Sequence, residues 1–204
     1  MTRNGKTKSA SSTNMVVCIS GMAGTGKSTL SKKLAKKYNL RYYSGGDALK
    51  ALAADEGYDS SSHGWWESAE GLRFLKKREE NFEFDKAVDD KLLKYAQQGH
   101  VLLDSWTMPW LLKTGFKIWL VASVEKRAER IAKRDRIPIK EALQVLKEKE
   151  TRTKAIYKKL YGFTLGKDFE PFDLVLDTDN LNAKEVFQVL CRVMDDIVLK
   201  RENL

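Results

Sequence analysis

The run Gly21-Met-Ala-Gly-Thr-Gly26-Lys27-Ser28 constrains this chain more than any other stretch, because it satisfies G-x-x-x-x-G-K-[ST] in full. Before it, Met15-Val-Val-Cys-Ile-Ser20 is a short apolar run that reads as a buried strand. After it, Leu30, Leu34 and Ala35 recur at helical spacing, while Lys32, Lys33, Lys36 and Lys37 face outward. Strand, glycine turn and helix in that order are the context that gives the motif physical meaning. Glycines let the backbone curl until several N–H groups converge on phosphate oxygens, and the helix N-terminus adds its positive end.

The expected phosphate-binding residues are therefore Gly21, Ala23, Gly24, Thr25, Gly26, Lys27, Ser28 and Thr29. In this chemistry Lys27 reaches the β- and γ-phosphates of ATP and the Ser28 hydroxyl ligates Mg²⁺. A second metal-site residue is expected at the tip of a neighbouring strand, and "HVLLDS" supplies it as Asp104.

Further apolar runs at 41–43, 100–104, 117–122 and 173–177 alternate with helical patterns at 47–56, 84–98, 124–134, 139–160 and 183–201. This βαβα alternation predicts an α/β fold with a parallel sheet covered on both faces. Residues 57–83 mix breakers and aromatics and read as a less regular insertion over the sheet edge.

The longest apolar runs are strand-sized, far short of the roughly 20 residues that a bilayer span requires. Residues 1–14 are polar, Ser/Thr-rich and basic and lack the apolar stretch of a secretory signal. They read as a disordered tail before one domain, 15–204. Cys18 and Cys191 form neither a metal spacing nor a disulfide framework, so a reducing cytoplasm is the expected setting. Net charge is +9. It is uneven: residues 125–167 hold fourteen Lys/Arg against six Asp/Glu, whereas residues 51–100 hold seven against eleven. A locally bound anion, nucleotide or nucleic acid, satisfies that pattern.

With these elements placed, the chain resembles the nucleoside monophosphate kinases, and among them most the archaeal type of cytidylate kinase. The resemblance is carried by the phosphate loop, "SGGDALKAL", "FEFDKAVDDKL", "KIWLVASVEKRAERIAKRD" and "YKKLYGF" followed by "FDLVLDT". It implies a three-layer P-loop kinase fold on a five-stranded parallel sheet. Two attachments are implied as well, a monophosphate-binding segment at about 44–90 and a short lid at about 134–152. Arg130 and Arg134 match family arginines that lie over the donor base and against the donor phosphates, and their four-residue spacing puts both on one helical face. Phosphoryl transfer needs cations that close around the moving group, and Arg134, Arg136, Lys149 and Arg152 are available in the lid. On the acceptor side the resemblance implies Asp47, Lys50, Asp85 and Asp89.

This chain departs from that family at three acceptor-side positions where an arginine is usual. Lys50, the Ser105-Trp106 stretch after Asp104, and Ile156 ahead of Tyr157 stand there instead. Lysine keeps the charge but loses the bidentate fork, so Arg73, Lys76, Lys77 and Arg78 are candidate compensators. Trp65, Trp66, Phe82 and Phe84 in the insertion are candidates for stacking on a base, whereas His63 receives no role. The reading implied is Mg²⁺-dependent transfer of the ATP γ-phosphate to a nucleoside monophosphate, CMP or dCMP first, by a monomer. The alternatives are an RNA- or ribosome-associated ATPase on the same scaffold, or a kinase for another small molecule or RNA end. The basic segment and the missing arginines motivate them.

Overall fold

In the computed structural model, which describes residues 14–62 and 64–201, five strands form one sheet of order β2-β3-β1-β4-β5, parallel throughout. The strands are β1 (Val16–Gly21), β2 (Arg41–Ser44), β3 (Val101–Asp104), β4 (Phe116–Val121) and β5 (Leu174–Asp177). The helices are α1 (Lys27–Lys37), α2 (Gly45–Asp55), α3 (Ala69–Glu80), α4 (Glu83–Gln97), α5 (Met108–Leu111), α6 (Val124–Asp135), α7 (Ile139–Tyr161) and α8 (Ala183–Val193). Among the described residues no helix is long and apolar enough to cross a membrane.

Alternation along β1 builds the layers, since successive side chains leave a strand on opposite faces. Val17 and Ile19 pack with Leu30 and Leu34 of α1 and Leu190 of α8, whereas Val16 and Cys18 pack with Leu49 of α2, Phe74 of α3 and Leu92 of α4. The three central strands bury nearly all of their residues, as a sheet covered twice must. Parallel register aligns the C-terminal ends: Ile19 and Ser44 both pair with Asp104. The chain crosses over β1 between β3 and β4, so the order reverses there, and the crevice beyond those strand ends is where such sheets take ligands.

Two local expectations are corrected. The region 57–83 contains a regular helix, α3, whose buried stripe is Gly71, Phe74, Leu75 and Arg78. An arginine at an apolar-stripe position, among seven charged residues in twelve, hides the helical period from a reading of hydrophobicity. The helix expected at 47–56 begins at Gly45, because the Ser44 side chain caps it by accepting from the Asp47 amide. Toward the end of the chain, α8 passes into a π-helical segment, Met194–Val198, before its last turn. Asn182 starts α8 with a reciprocal capping box involving Glu185. Part of the expected tail, 1–13, and His63 lie outside the described residues.

Candidate active site

The phosphate loop occupies the turn between β1 and α1. Gly24 sits at φ +83°, and a Cβ there would stand 2.8 Å from the Arg127 carbonyl, so only glycine fits. Gly26, at φ +87°, is the residue before the first turn of α1, whose unpaired N–H groups are thereby left for a ligand. Thr25 is buried and fixes the curl through its hydroxyl and its amide, both donating to the Met22 carbonyl at 2.9 and 3.3 Å. Beneath the loop, the Arg127 guanidinium donates to the Ala23 carbonyl at 3.1 Å and to the Ala122 carbonyl at 3.1 Å, and it pairs with Glu150 of α7. Both members of that pair are buried.

A cavity of about 360 Å³ opens over the loop and runs between α2, α3, α4, α6 and α7. It is lined by Ala23, Gly24, Gly26, Lys27, Ser28, Thr29, Asp47, Asp85, Asp89, Asp104, Arg130 and Arg134, twelve of the residues expected from the sequence. Gly21, Thr25, Lys50 and Arg152 stand outside its lining. Lys50 donates to the Ser62 carbonyl at 3.3 Å, and Arg152 pairs with Glu79 of α3 and Glu148 of its own helix.

At the loop end, Lys27 lies over the Trp106 ring, 5.5 Å from its centroid, and the Trp106 indole N–H donates to the Gly21 carbonyl at 2.6 Å. Asp104 is buried and accepts from the Tyr42 hydroxyl at 3.0 Å. Burial, and then the Asp104 charge, raise the Tyr42 phenol, so Tyr42 stays a donor and leaves the second Asp104 oxygen for another partner. The Ser28 hydroxyl has no hydrogen-bond partner among the described residues. One hydroxyl and one carboxylate suit magnesium, which keeps several waters and takes phosphate oxygens as its other ligands.

Beside α6 and α7, Glu67 lies in a short 3-10 turn and is paired with Arg134 at the end of α6 and Lys149 of α7. Lys149 is itself buried; burial pushes its ammonium below the usual lysine value, and the Glu67 carboxylate opposes that shift. Arg130 donates to the Thr178 carbonyl at 3.0 Å.

The far end is built from α3, α4 and α7. Arg78 makes a bidentate ion pair with Asp85, at 3.0 and 2.6 Å, and its guanidinium also reaches the Tyr157 hydroxyl at 3.4 Å. Asp89 accepts from Thr107 at 2.5 Å and from Tyr161 at 2.7 Å. Burial still pushes the Asp89 carboxyl up to about 6.

A family model described as the cytidylate kinase-like family matches residues 16–180. The chain belongs to this family. It is 37% identical over 179 residues to a cytidylate kinase of Sulfurisphaera tokodaii, covering 86% of this chain and 93% of that one. A cytidylate kinase of Methanocaldococcus jannaschii is 35% identical over 188 residues, covering 90% and 99%. Among solved structures, a shikimate kinase from Acinetobacter baumannii aligns with a TM-score of 0.55 at 15% identity, over 91% of this chain and 95% of that one. A gluconokinase from Sinorhizobium meliloti aligns at 0.51 and 14%, over 92% and 98%. Likeness at that identity carries the P-loop kinase fold.

Within this cytidylate kinase-like chain, the four candidate compensators separate cleanly. Arg73 is exposed and pairs with Glu70, Lys77 pairs with Glu56, and Lys76 is exposed. Arg78 alone of the four lines the cavity. Of the candidate stacking rings, Trp66 lines it, Trp65 is buried against Phe74, and Phe84 packs edge-on to Phe74. Lining residues to which the sequence assigned no role include Glu67, Trp106, Thr107 and Tyr157; Tyr157 lies within the "YKKLYGF" stretch, whereas Glu67 belongs to no quoted motif.

Proposed function

We propose that this protein transfers the γ-phosphoryl group of ATP to cytidine monophosphate, with deoxycytidine monophosphate as the next acceptor. The observation that carries the reading is the continuity of one cavity from the Lys27–Ser28 loop to the Asp85–Asp89 face, which gives room for a donor tail and an acceptor nucleotide end to end. Relatives named cytidylate kinases that align over nine-tenths of their own length support it.

In the reaction, an oxygen of the acceptor phosphate forms a bond to the γ-phosphorus as the bond to the β,γ-bridging oxygen breaks, leaving ADP and the nucleoside diphosphate. The loop amides and Lys27 hold the donor phosphates and stabilise the charge that spreads over the moving group. Ser28 and Asp104 would hold magnesium, which would supply positive charge against the donor phosphates. Arg130 and Arg134 approach from α6, the former toward the donor nucleotide and the latter toward its phosphates. Because the transfer is mainly positioning plus electrostatics, closure that excludes water favours transfer over hydrolysis.

The basic segment fits this reading better than an RNA-binding one. Arg134 and Lys149 are paired with Glu67, and Arg152 with Glu79, so these lid cations answer the acidic segment of the same chain. The test is a coupled assay of ADP release with ATP, magnesium and each common monophosphate. Saturable turnover with CMP and dCMP well above the others is expected. ATP loss that no monophosphate increases would overturn the reading.

A further inference from the structure

Arg78 presents a buried guanidinium at a place where α3 otherwise contributes apolar packing. Taking a charge out of water is costly unless it is paired, and the fork on Asp85 provides that pairing. The fork uses Nε and Nη2. Nη1 has no hydrogen-bond partner among the described residues, and Arg78 lines the cavity, so this edge is left for a ligand. Tyr157 accepts from Nη2 and keeps its own proton for donation.

The local charge decides which part of a nucleotide belongs here. One guanidinium faces two carboxylates, Asp85 and Asp89, so the end of the cavity is neutral to negative and unsuited to a phosphate. A base edge that carries a donor beside an acceptor does suit it. Cytosine has an exocyclic amino donor, next to acceptors at N3 and O2. Uracil reverses the first two, offering a carbonyl where the amino group was and an N–H where N3 accepted. Against this wall it would set oxygen on carboxylate and N–H on guanidinium. Adenine offers the same donor–acceptor pair on a larger ring, so uracil is the base that isolates the effect of Arg78.

We infer that Arg78, held by Asp85, is the specificity-determining residue for the acceptor base, donating from Nη1 to the acceptor edge of cytosine while the carboxylates take its amino group. The inference rests on the proposed cytidylate reading. The wild-type protein is therefore assayed first with CMP and UMP; if it phosphorylates neither, that reading falls and the inference with it.

Given wild-type turnover of CMP, Arg78→Lys removes the planar fork and keeps the charge. The expected result is a rise in KM for CMP and a fall in the CMP-over-UMP ratio of kcat/KM, each about tenfold or more, with KM for ATP within about twofold, because unpaired polar groups are what reject the wrong base. A merely structural role would not split the two substrates in this way. The paired substitution Arg78→Met with Asp85→Asn removes both charges together and leaves no lone buried ion, so it keeps the test open if the single variant does not fold. Loss of the CMP-over-UMP preference in every variant that folds supports the inference. Preference retained in a folded Arg78→Lys protein, or in the folded paired variant, overturns it.

Discussion

Arg127 and Glu150 form a buried ion pair that joins the underside of the phosphate loop to α7, since the same guanidinium donates to the Ala23 carbonyl. Removing one partner strands the other without water. Glu150→Gln is expected to cost about 3–5 kcal/mol of stability, read by urea denaturation, because an uncompensated buried charge is the dominant penalty. The ATP KM is expected to rise with it, as the Ala23 carbonyl loses a fixed donor. Replacing both residues together, Arg127→Met with Glu150→Leu, is expected to recover most of the stability and none of the ATP affinity.

A second prediction concerns the carboxylate that Arg134 and Lys149 share. Glu67 pairs with both Arg134 and Lys149, which line the cavity, so an incoming phosphate has to compete with it. Glu67→Gln is expected to lower the melting temperature of the free protein, because Lys149 is buried, and to tighten ATP binding by freeing Lys149 while Asp135 still holds Arg134. Calorimetric titration with ATP checks this. Unchanged affinity together with unchanged stability would mean that the pairs carry no energy.

The third is a pH dependence. Asp89 titrates near 6 in the fold against about 3.8 when exposed, so the folded protein binds a proton more readily than the unfolded chain does. Its contribution is therefore most favourable below about pH 4, is lost as pH rises from there to about 6, and is constant above. With one unit worth about 1.4 kcal/mol, the swing is about 3 kcal/mol at most. Asp89→Asn is expected to abolish it, raising stability at pH 7 while lowering turnover. Thermal melts of both proteins at pH 4.5 and 7 decide the point.

The fold and the placement of the phosphate loop were legible because they are written locally. Strand, Gly24-Thr25-Gly26-Lys27 and helix lie in one short stretch, and the backbone chemistry of the turn dictates its residue types. Asp104 was readable as a strand-end carboxylate for the same reason. Asp85 and Asp89 were readable as acidic helix positions, but the pairings across the site were not, because they are made by side chains distant along the chain. Arg78 meets Tyr157 across 79 positions, and Glu67 meets Lys149 across 82, so neither pairing leaves a periodic or spaced signature. Arg78 even obscured its own helix, by placing a charge in the stripe that identifies one. Lys50 shows the converse: a cation in the right segment of sequence is turned toward Ser62.

The central claim is that Lys27 and the loop present the γ-phosphoryl group to an acceptor in the same cavity. ATP labelled at the γ-phosphate, incubated with magnesium and CMP, tests it directly by the fate of the label. Label is expected in CDP at a rate that saturates with CMP, and no transfer when Lys27→Ala is used. Label released as inorganic phosphate regardless of CMP, or transfer undiminished in the Lys27→Ala protein, would contradict it.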